Sequence, residues 1–136
     1  MIQFTIPGNP TGKARPRVTK FGTFTPEKTV NFEVLVKEMF AINFPDFKPV
    51  EGQIDILIKA FFPMPQSASK KKREYMMMGM IRPAKKPDWD NVGKAITDAL
   101  EGMAYRNDSQ ITDATVQKRY SENPRVEVTM KWEVQT

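Results

Sequence analysis

Alternating apolar and polar residues predict four β-strands along the chain. Three isoleucines share one face of the second strand, and valine, methionine and tryptophan share one face of the fourth, so each strand has one buried side. A short turn ending at Pro124 separates the last two strands, which predicts that they form a hairpin. The four predicted strands are residues 2–6, 50–62, 110–120 and 125–134.

Apolar residues at helical spacing predict three helices between these strands. The first begins with Thr25 as N-cap and Pro26 in the first helical position, and it ends near Asn43. The second runs from Ser67, its N-cap, to about Met78. The third starts directly after a pair of aspartates. The residues expected in the core are Val30, Val34, Leu35, Met39 and Ile42 from the first helix, and Val92, Ile96, Ala99, Leu100 and Met103 from the third.

This order of elements predicts a single α+β domain that spans residues 1–136. One mixed sheet of about four strands, with two to three helices packed against it, fits a chain of 136 residues. No apolar run reaches the length of a transmembrane helix, and the N-terminus lacks the charged start and the apolar stretch of a signal peptide. We therefore expect a cytoplasmic protein with no membrane partner.

The chain contains neither cysteine nor histidine, which restricts its chemistry. Disulfides, thiolate zinc sites, cysteine nucleophiles and Ser-His-Asp triads are excluded. Any catalysis must use carboxylates, lysine and metal ions. The formal net charge of +5 indicates an anionic partner. Because proline and glycine flank the basic clusters, in place of an apolar helix face, nucleic acid is favoured over a membrane surface.

Several basic segments are candidates for contacts with phosphate groups. Residues 7–17 form a loop rich in proline and glycine, and Arg15-Pro16-Arg17 holds two guanidinium groups on a stiff backbone. The alternative is a solvated loop with no ligand. The candidate DNA-binding residues are Lys13, Arg15, Arg17, Lys70, Lys71, Lys72, Arg73, Arg82, Lys85 and Lys86.

Two aspartates lie side by side where the third helix begins. Pro87 favours extended backbone, so Asp88 and Asp90 are expected to point to one side, while Trp89 points away and can be buried. Closely spaced carboxylates repel each other, and as hard oxygen ligands they suit Mg²⁺ or Mn²⁺. The alternative is that both aspartates only cap the helix and form a turn.

Three short motifs occur together in this chain. They are Pro-Gly-Asn-Pro-x-Gly-Lys-x-Arg-Pro-Arg at residues 7–17, Thr-Pro-Glu-Lys-Thr at 25–29, and Lys-Pro-Asp-Trp-Asp-Asn-x-x-Lys at 86–94. The third is followed across one helix by Asn-Asp-Ser-Gln-Ile. Together they resemble the RusA-type Holliday junction resolvases, endodeoxyribonucleases common in bacteria and their prophages. The likeness runs in register from residue 2 to about residue 128.

The resemblance implies that Asp88, Asp90 and Asp108 bind a divalent cation, Mg²⁺ or Mn²⁺, and that Lys94 is a catalytic lysine. It also implies a symmetric homodimer that acts on branched DNA, a four-way junction, without a small-molecule cofactor. Many members carry an acidic residue directly before the third aspartate. This chain has Asn107 there, which lowers the local negative charge.

The roles of Lys94 and Asn91 each have an alternative. The Lys94 ammonium either neutralises charge on the reacting phosphate or pairs with Asp90 and Asp98 along the helix, which is worth only about 0.2–0.5 kcal/mol per pair. Asn91 either caps the helix or supports the metal ligands by hydrogen bonds without touching the metal.

Together with the resemblance, these features predict a Mg²⁺-dependent endonuclease that resolves four-way junctions by paired symmetric nicks during DNA recombination and repair. Two alternatives remain. One is a less selective metal-dependent nuclease that cuts flaps, forks or duplex DNA. The other is a DNA-binding recombination accessory domain without catalytic activity.

Overall fold

Four strands form one mixed sheet with helices packed against it. The computed structural model describes residues 1–133. The sheet contains β1 (Ile2–Pro7), β4 (Ile54–Pro63), β5 (Ile111–Ser121) and β6 (Arg125–Trp132), and a separate hairpin pairs β2 (Arg17–Thr19) with β3 (Gly22–Phe24). The helices are α1 (Glu27–Asn43), α2 (Lys70–Met77) and α3 (Trp89–Leu100), and a 3-10 helix spans Asp108–Gln110. The predicted α+β class, with one mixed sheet and up to three helices, is confirmed.

The core lies where α1 and α3 pack against each other and against the sheet. Alternate residues of β4 and β6 are buried, as their pattern predicts, because successive side chains of a strand point to opposite faces. The predicted apolar stripe of α3 is buried as well, while Met103 lies beyond the end of the helix and is partly buried. The confirmed core residues are Ile54, Ile56, Ile58, Val92, Ile96, Ala99, Leu100, Val126, Val128 and Met130.

The strand order in the sheet is β1-β6-β4-β5. β6 pairs antiparallel with both β1 and β4, and β5 pairs parallel with β4. The predicted hairpin between the last two strands is therefore wrong, because β4 is inserted between them. Ser121 pairs with Pro63 and Arg125 pairs with Phe61, so the short turn crosses the end of β4. Alternation determines which face of a strand is buried, but it does not determine the neighbouring strand.

The buried face of α1 differs from the prediction. Its buried residues are Thr29, Phe32, Val36 and Phe40. Of the residues expected in the core, Val30, Val34 and Ile42 are exposed, and Leu35 and Met39 are partly buried. Apolar side chains of α1 point in several directions around its axis, so helical spacing alone permits more than one buried face. Phe40 packs edge-to-face on Phe4 with ring centroids 5.5 Å apart, and burying these large rings selects the observed face.

The predicted helix starts are shifted. Pro26 is the N-cap of α1 in place of Thr25. The N-cap of α2 is Ser69, not Ser67, because the Ser69 hydroxyl accepts a hydrogen bond from the Lys72 N–H at 3.2 Å. None of the helices in the described chain is long and apolar enough to cross a bilayer.

Two strand boundaries also differ from the prediction. β4 begins at Ile54, and Val50, expected to start the strand, forms only an isolated bridge with Tyr105. Val134, expected to end the last strand, lies outside the described residues. The β2–β3 hairpin was not predicted, because its short strands do not alternate and its turn depends on Gly22 at φ +126°.

Candidate metal and nucleic-acid site

The aspartate pair lies at the N-terminal end of α3. Asp88 is the N-cap, with extended backbone (φ −66°, ψ 153°), and Asp90 lies in the first turn. The Asp88 carboxylate makes no capping hydrogen bond, and within residues 1–133 neither carboxylate forms an ion pair. Both side chains are exposed, so their oxygen atoms are accessible to a ligand. The capping alternative therefore does not describe how Asp88 uses its carboxylate.

Both aspartates border two open clefts that also carry cationic side chains. The first cleft has a volume of about 530 Å³, and the second has a volume of about 870 Å³. The aspartates thus lie where two basic surfaces meet, which suits a site that holds a metal ion next to phosphate groups. The cationic residues are Lys85, Lys86 and Lys118 in the first cleft, and Lys13, Arg15, Arg17, Lys28 and Lys86 in the second.

The basic loop reaches the aspartates because it packs directly on the start of α3. A β-carbon on Gly12 would lie only 2.6 Å from the Pro87 β-carbon. The neighbouring Lys13 N–H donates a hydrogen bond to the Asn91 backbone oxygen at 2.8 Å. Glycine is needed here because two backbones approach closely, and this contact joins the first motif to the third.

Thr29 of α1 fastens the same loop from the other side. Its buried hydroxyl accepts a hydrogen bond from the Ala14 N–H at 3.3 Å and donates one to the Gly12 carbonyl at 3.5 Å. Thr29 is the last residue of the second motif, and the sequence analysis assigned it no role. Its helical spacing with Phe32 and Val36 was the available signal, since a threonine on a buried face needs hydrogen-bond partners.

The Lys13 side chain serves the packing of this loop. Its ammonium lies 2.6 Å from Glu33 Oε1 and 3.5 Å from Asp98 Oδ2, which joins the loop to α1 and α3. The hydrogen bond to Glu33 raises the pKa of Lys13, while desolvation opposes that rise. Lys13 was expected to contact phosphate. Its ammonium is instead already paired with two carboxylates within the fold.

Lys94 remains more open to a ligand. Its ammonium is 3.5 Å from Asp98 Oδ1, one turn along α3, and the side chain is 59% exposed. Within the described residues this ion pair is to Asp98, so the expected alternative pairing with Asp90 is not formed. A pair this exposed holds the lysine only weakly.

Two cations of the clefts were missed by the sequence analysis. Lys118 donates a hydrogen bond from its ammonium to the Lys85 carbonyl at 2.6 Å and lies over the Phe62 ring at 5.6 Å. The alternation of side chains along β5 could have indicated this position of Lys118. Alternation places Lys118 on the same face of the strand as Val116, which packs against α3. Lys28, in the first turn of α1, lines the larger cleft.

Asp108 lies at the opposite end of α3 from the aspartate pair. Its N–H donates a hydrogen bond to Glu101 Oε1 at 3.2 Å, and Glu101 is the C-cap of α3. A helix of 12 residues is roughly 18 Å long, so one chain does not bring Asp108 to Asp88 and Asp90. Among residues 1–133, no group of three or more acidic, histidine or cysteine side chains is arranged to hold a metal ion.

Asn107 has a clear local role. Its side chain accepts a hydrogen bond from the Ser109 N–H at 2.9 Å, and its own N–H donates to Gln110 Oε1 at 2.9 Å. This reciprocal capping box holds the 3-10 helix that carries Asp108.

Trp89 is not buried as expected. Because α3 begins at this residue, the ring projects from the first turn into the smaller cleft and is 64% exposed. Asn91 lines the larger cleft, and its backbone oxygen receives the Lys13 N–H.

The remaining basic candidates lie outside the two clefts. Arg73 donates from its guanidinium to the carbonyls of Ala68 and Pro65, and Arg82 donates to the Gly79 carbonyl at 2.9 Å, so both stabilise local backbone. The exposed lysines of α2 are Lys70, Lys71 and Lys72.

Comparison with known proteins agrees with the motifs. The family model described as Endodeoxyribonuclease RusA matches residues 7–131, nearly the whole chain. The chain belongs to the RusA endodeoxyribonuclease family. A relative of this RusA-family chain is the "Uncharacterized protein YqaN" of Bacillus subtilis (strain 168), which is 38% identical in an alignment that covers 96% of this chain and 95% of the relative. The predicted family is confirmed, and it implies endodeoxyribonuclease activity and supports a role in Holliday junction resolution and recombination.

RusA-type resolvases generally depend on a divalent metal ion, and the aspartate pair fits that requirement. Exposed carboxylates that form no ion pair within residues 1–133 are suitable ligands for Mg²⁺ or Mn²⁺. Asp88 and Asp90 supply two such groups from one chain, and the cations of the two clefts surround them.

Proposed function

We propose that this RusA-family protein is a Mg²⁺-dependent endonuclease that acts as a homodimer and resolves four-way DNA junctions by paired symmetric nicks. The observation that carries the proposal is the position of Asp88 and Asp90, exposed and unpaired within residues 1–133, where two basic clefts meet. A structural acidic pair would be capped or paired with the nearby cations. Here the cations stand around the pair, where phosphate groups can occupy the space between.

Asp88 and Asp90 would hold the metal, Mg²⁺ or alternatively Mn²⁺, which when bound activates a water molecule and stabilises the leaving 3′ oxygen. Arg15 and Lys86 in the clefts would bind the flanking phosphates and fix the DNA strand. The Lys94 ammonium would lie beside the reacting phosphate and neutralise its growing negative charge. Its exposed and weak ion pair with Asp98 supports this role, because little stability is lost when the ammonium turns to the DNA.

Asn91 would support the aspartate pair without binding the metal. Its backbone oxygen already fastens the basic loop through the Lys13 N–H, and its side chain borders the larger cleft beside Asp90. A carboxamide in this position can orient a carboxylate by a hydrogen bond without binding the metal itself.

Asp108 would complete each site from the second copy of the chain. It lies about one helix length from Asp88 and Asp90 in its own chain, so it cannot join them without a large rearrangement. A two-fold axis relates the same surfaces of two copies reciprocally, so each copy can lend Asp108 to the other. The two sites of such a dimer match the two strands that must be cut in a symmetric junction.

The activity is tested with a labelled synthetic four-way junction and a linear duplex of the same sequence, each with and without Mg²⁺. Paired symmetric nicks in the junction alone, and only with Mg²⁺, are expected. Asp90→Asn should abolish cutting and preserve junction binding, because it removes a metal ligand and one negative charge near phosphate. Cutting of both DNAs would indicate a less selective nuclease, and binding without cutting by the unaltered protein would indicate an accessory domain.

Metal binding can be measured separately, because Trp89 borders the aspartate pair. In a Trp132→Phe background, Mg²⁺ titration should change the Trp89 fluorescence, and Asp90→Asn should abolish that change. An unchanged signal, together with an unchanged melting temperature at saturating Mg²⁺, would count against a metal site here.

The contribution of Asp108 from the second copy is tested by mixing two inactive variants, Asp90→Asn and Asp108→Asn. If each site uses Asp108 of the other chain, a hybrid dimer has one intact site and one doubly altered site. Random exchange in an equal mixture then restores about a quarter of the wild-type sites. If each site uses its own Asp108, every site in the mixture is defective and no activity returns.

A further inference from the structure

We infer that the β2–β3 hairpin is a branch-point sensor in which Phe21 stacks on a DNA base exposed where strands separate. The inference rests on the proposed function and adds the means by which the protein would recognise a branch. Phe21 is 89% exposed and Val18 is 82% exposed, and they are the two most exposed large apolar side chains among those described. The Phe21 ring therefore does not contribute to the core and is free to stack on a ligand.

The hairpin stands away from the rest of the fold. Its two strands pack chiefly on each other, and each is only three residues long. Such a hairpin has little stability of its own, yet its turn is tightly held. Thr19 Oγ1 donates a hydrogen bond to the Gly22 carbonyl at 3.1 Å and accepts one from the Phe21 N–H at 3.2 Å. The ring is therefore presented on a preorganised turn, which reduces the entropy lost on binding.

The charges around Phe21 identify the class of ligand. Residues 10–26 contain no acidic residue and carry Arg15, Arg17 and Lys20 near the hairpin. The Lys20 ammonium lies 5.3 Å from the centroid of the Phe21 ring. An exposed aromatic ring among cations matches nucleic acid, where bases stack on aromatic side chains and phosphates pair with arginine and lysine.

The hairpin is continuous with the candidate active site. Arg15 and Arg17 line the larger cleft together with Asp88 and Asp90, and Arg17 is also the first residue of β2. Three residues of strand extend roughly 10 Å from that point, and successive nucleotides in one strand are about 3.4 Å apart. A base stacked on Phe21 would thus lie about three nucleotides from a phosphate bound by Arg17 in this cleft.

The test measures binding by proteins that carry Asp90→Asn, so that the DNA stays uncut. A fluorescent base analogue, 2-aminopurine, is placed at successive positions within four nucleotides of the branch. We expect quenching at one position beside the branch, and Phe21→Ala should remove it. Phe21→Ala should also weaken junction binding about 5- to 150-fold, the range for loss of one base–aromatic stack, and should change duplex binding less than twofold. Phe21→Trp should retain both properties.

The matched controls are Val18→Ala, a nearby exposed apolar residue, and Lys20→Gln. Val18→Ala should leave the quenching in place, and Lys20→Gln should weaken junction and duplex binding alike. All four variants should melt as the parent does, because these side chains lie outside the core.

The inference is overturned if Phe21→Ala binds the junction and quenches the analogue as the parent does. It is equally overturned if that variant instead dissociates a dimer in sedimentation experiments, since Phe21 would then be a contact between copies. Failure of the parent protein to bind any junction would instead overturn the proposed function, and with it this inference.

Discussion

The contact between Gly12 and Pro87 makes a sharp prediction for Gly12→Ala. The added β-carbon would be 2.6 Å from the Pro87 β-carbon and 3.3 Å from the Asn91 β-carbon. Carbon atoms pack favourably at about 3.5–4.0 Å, so the loop and the start of α3 must separate by about 1 Å. That movement also stretches the hydrogen bond from the Lys13 N–H to Asn91.

Overpacking of this kind costs about 1–3 kcal/mol of the free energy of unfolding. For a domain of this size each kcal/mol lowers the melting temperature by about 3–5 °C. Urea unfolding followed by Trp132 fluorescence measures the loss, and junction cleavage measures how far the displaced α3 start affects the aspartates. Gly12→Ser should cost at least as much as Gly12→Ala.

Thr11→Ala is the matched control in the same loop. Its hydroxyl donates to the nearby Asn9 carbonyl, and its removal should change stability by no more than about 0.5 kcal/mol. If Gly12→Ala unfolds at the same urea concentration as the parent and cleaves at the same rate, the loop does not pack on α3 as described.

Three further predictions concern neighbouring contacts. Thr29→Val should lose about 1–3 kcal/mol of stability in urea unfolding because it leaves loop polar groups unpaired, and Thr29→Ser, which keeps the hydroxyl, should not. Lys13→Met should lose about 1–3 kcal/mol at neutral pH by removing the partner of Glu33. Since the folded pKa of Lys13 is raised above 10.5, that difference should persist up to about pH 10 and shrink as pH rises further, and a constant difference would contradict the ion pair. Lys118→Met should weaken junction binding and reduce the salt dependence of log K by about one, and an unchanged slope would remove Lys118 from the DNA surface.

The sequence predicted those features that depend on near neighbours along the chain. The buried faces of β4 and β6 follow from alternation, and Asp88 and Asp90 lie close together because only Trp89 separates them in the sequence. The buried face of α1 could not be chosen by spacing alone, because Val30 and Phe32 are both apolar and only tertiary packing with the aromatic rings distinguishes them.

Features that depend on distant pairing were not predictable in this way. The insertion of β4 between β5 and β6 leaves no trace in local alternation. The approach of Gly12 to Pro87, and the arrival of Lys118 at the aspartates, depend on which elements become neighbours. The motifs group Asp108 with Asp88 as metal ligands. The distance between them in one chain depends on the length of α3, which separates them.

The position of β6 has a consequence for how the protein is made. β6 leaves the ribosome after the other strands of this sheet, yet it pairs with β1 and with β4. Until residues 125–132 emerge, β1 lacks its partner and β4 has one open edge, so a nascent chain cannot complete its core. Folding of this sheet is therefore delayed until β6 has emerged, as expected for a sheet whose paired strands are far apart in sequence.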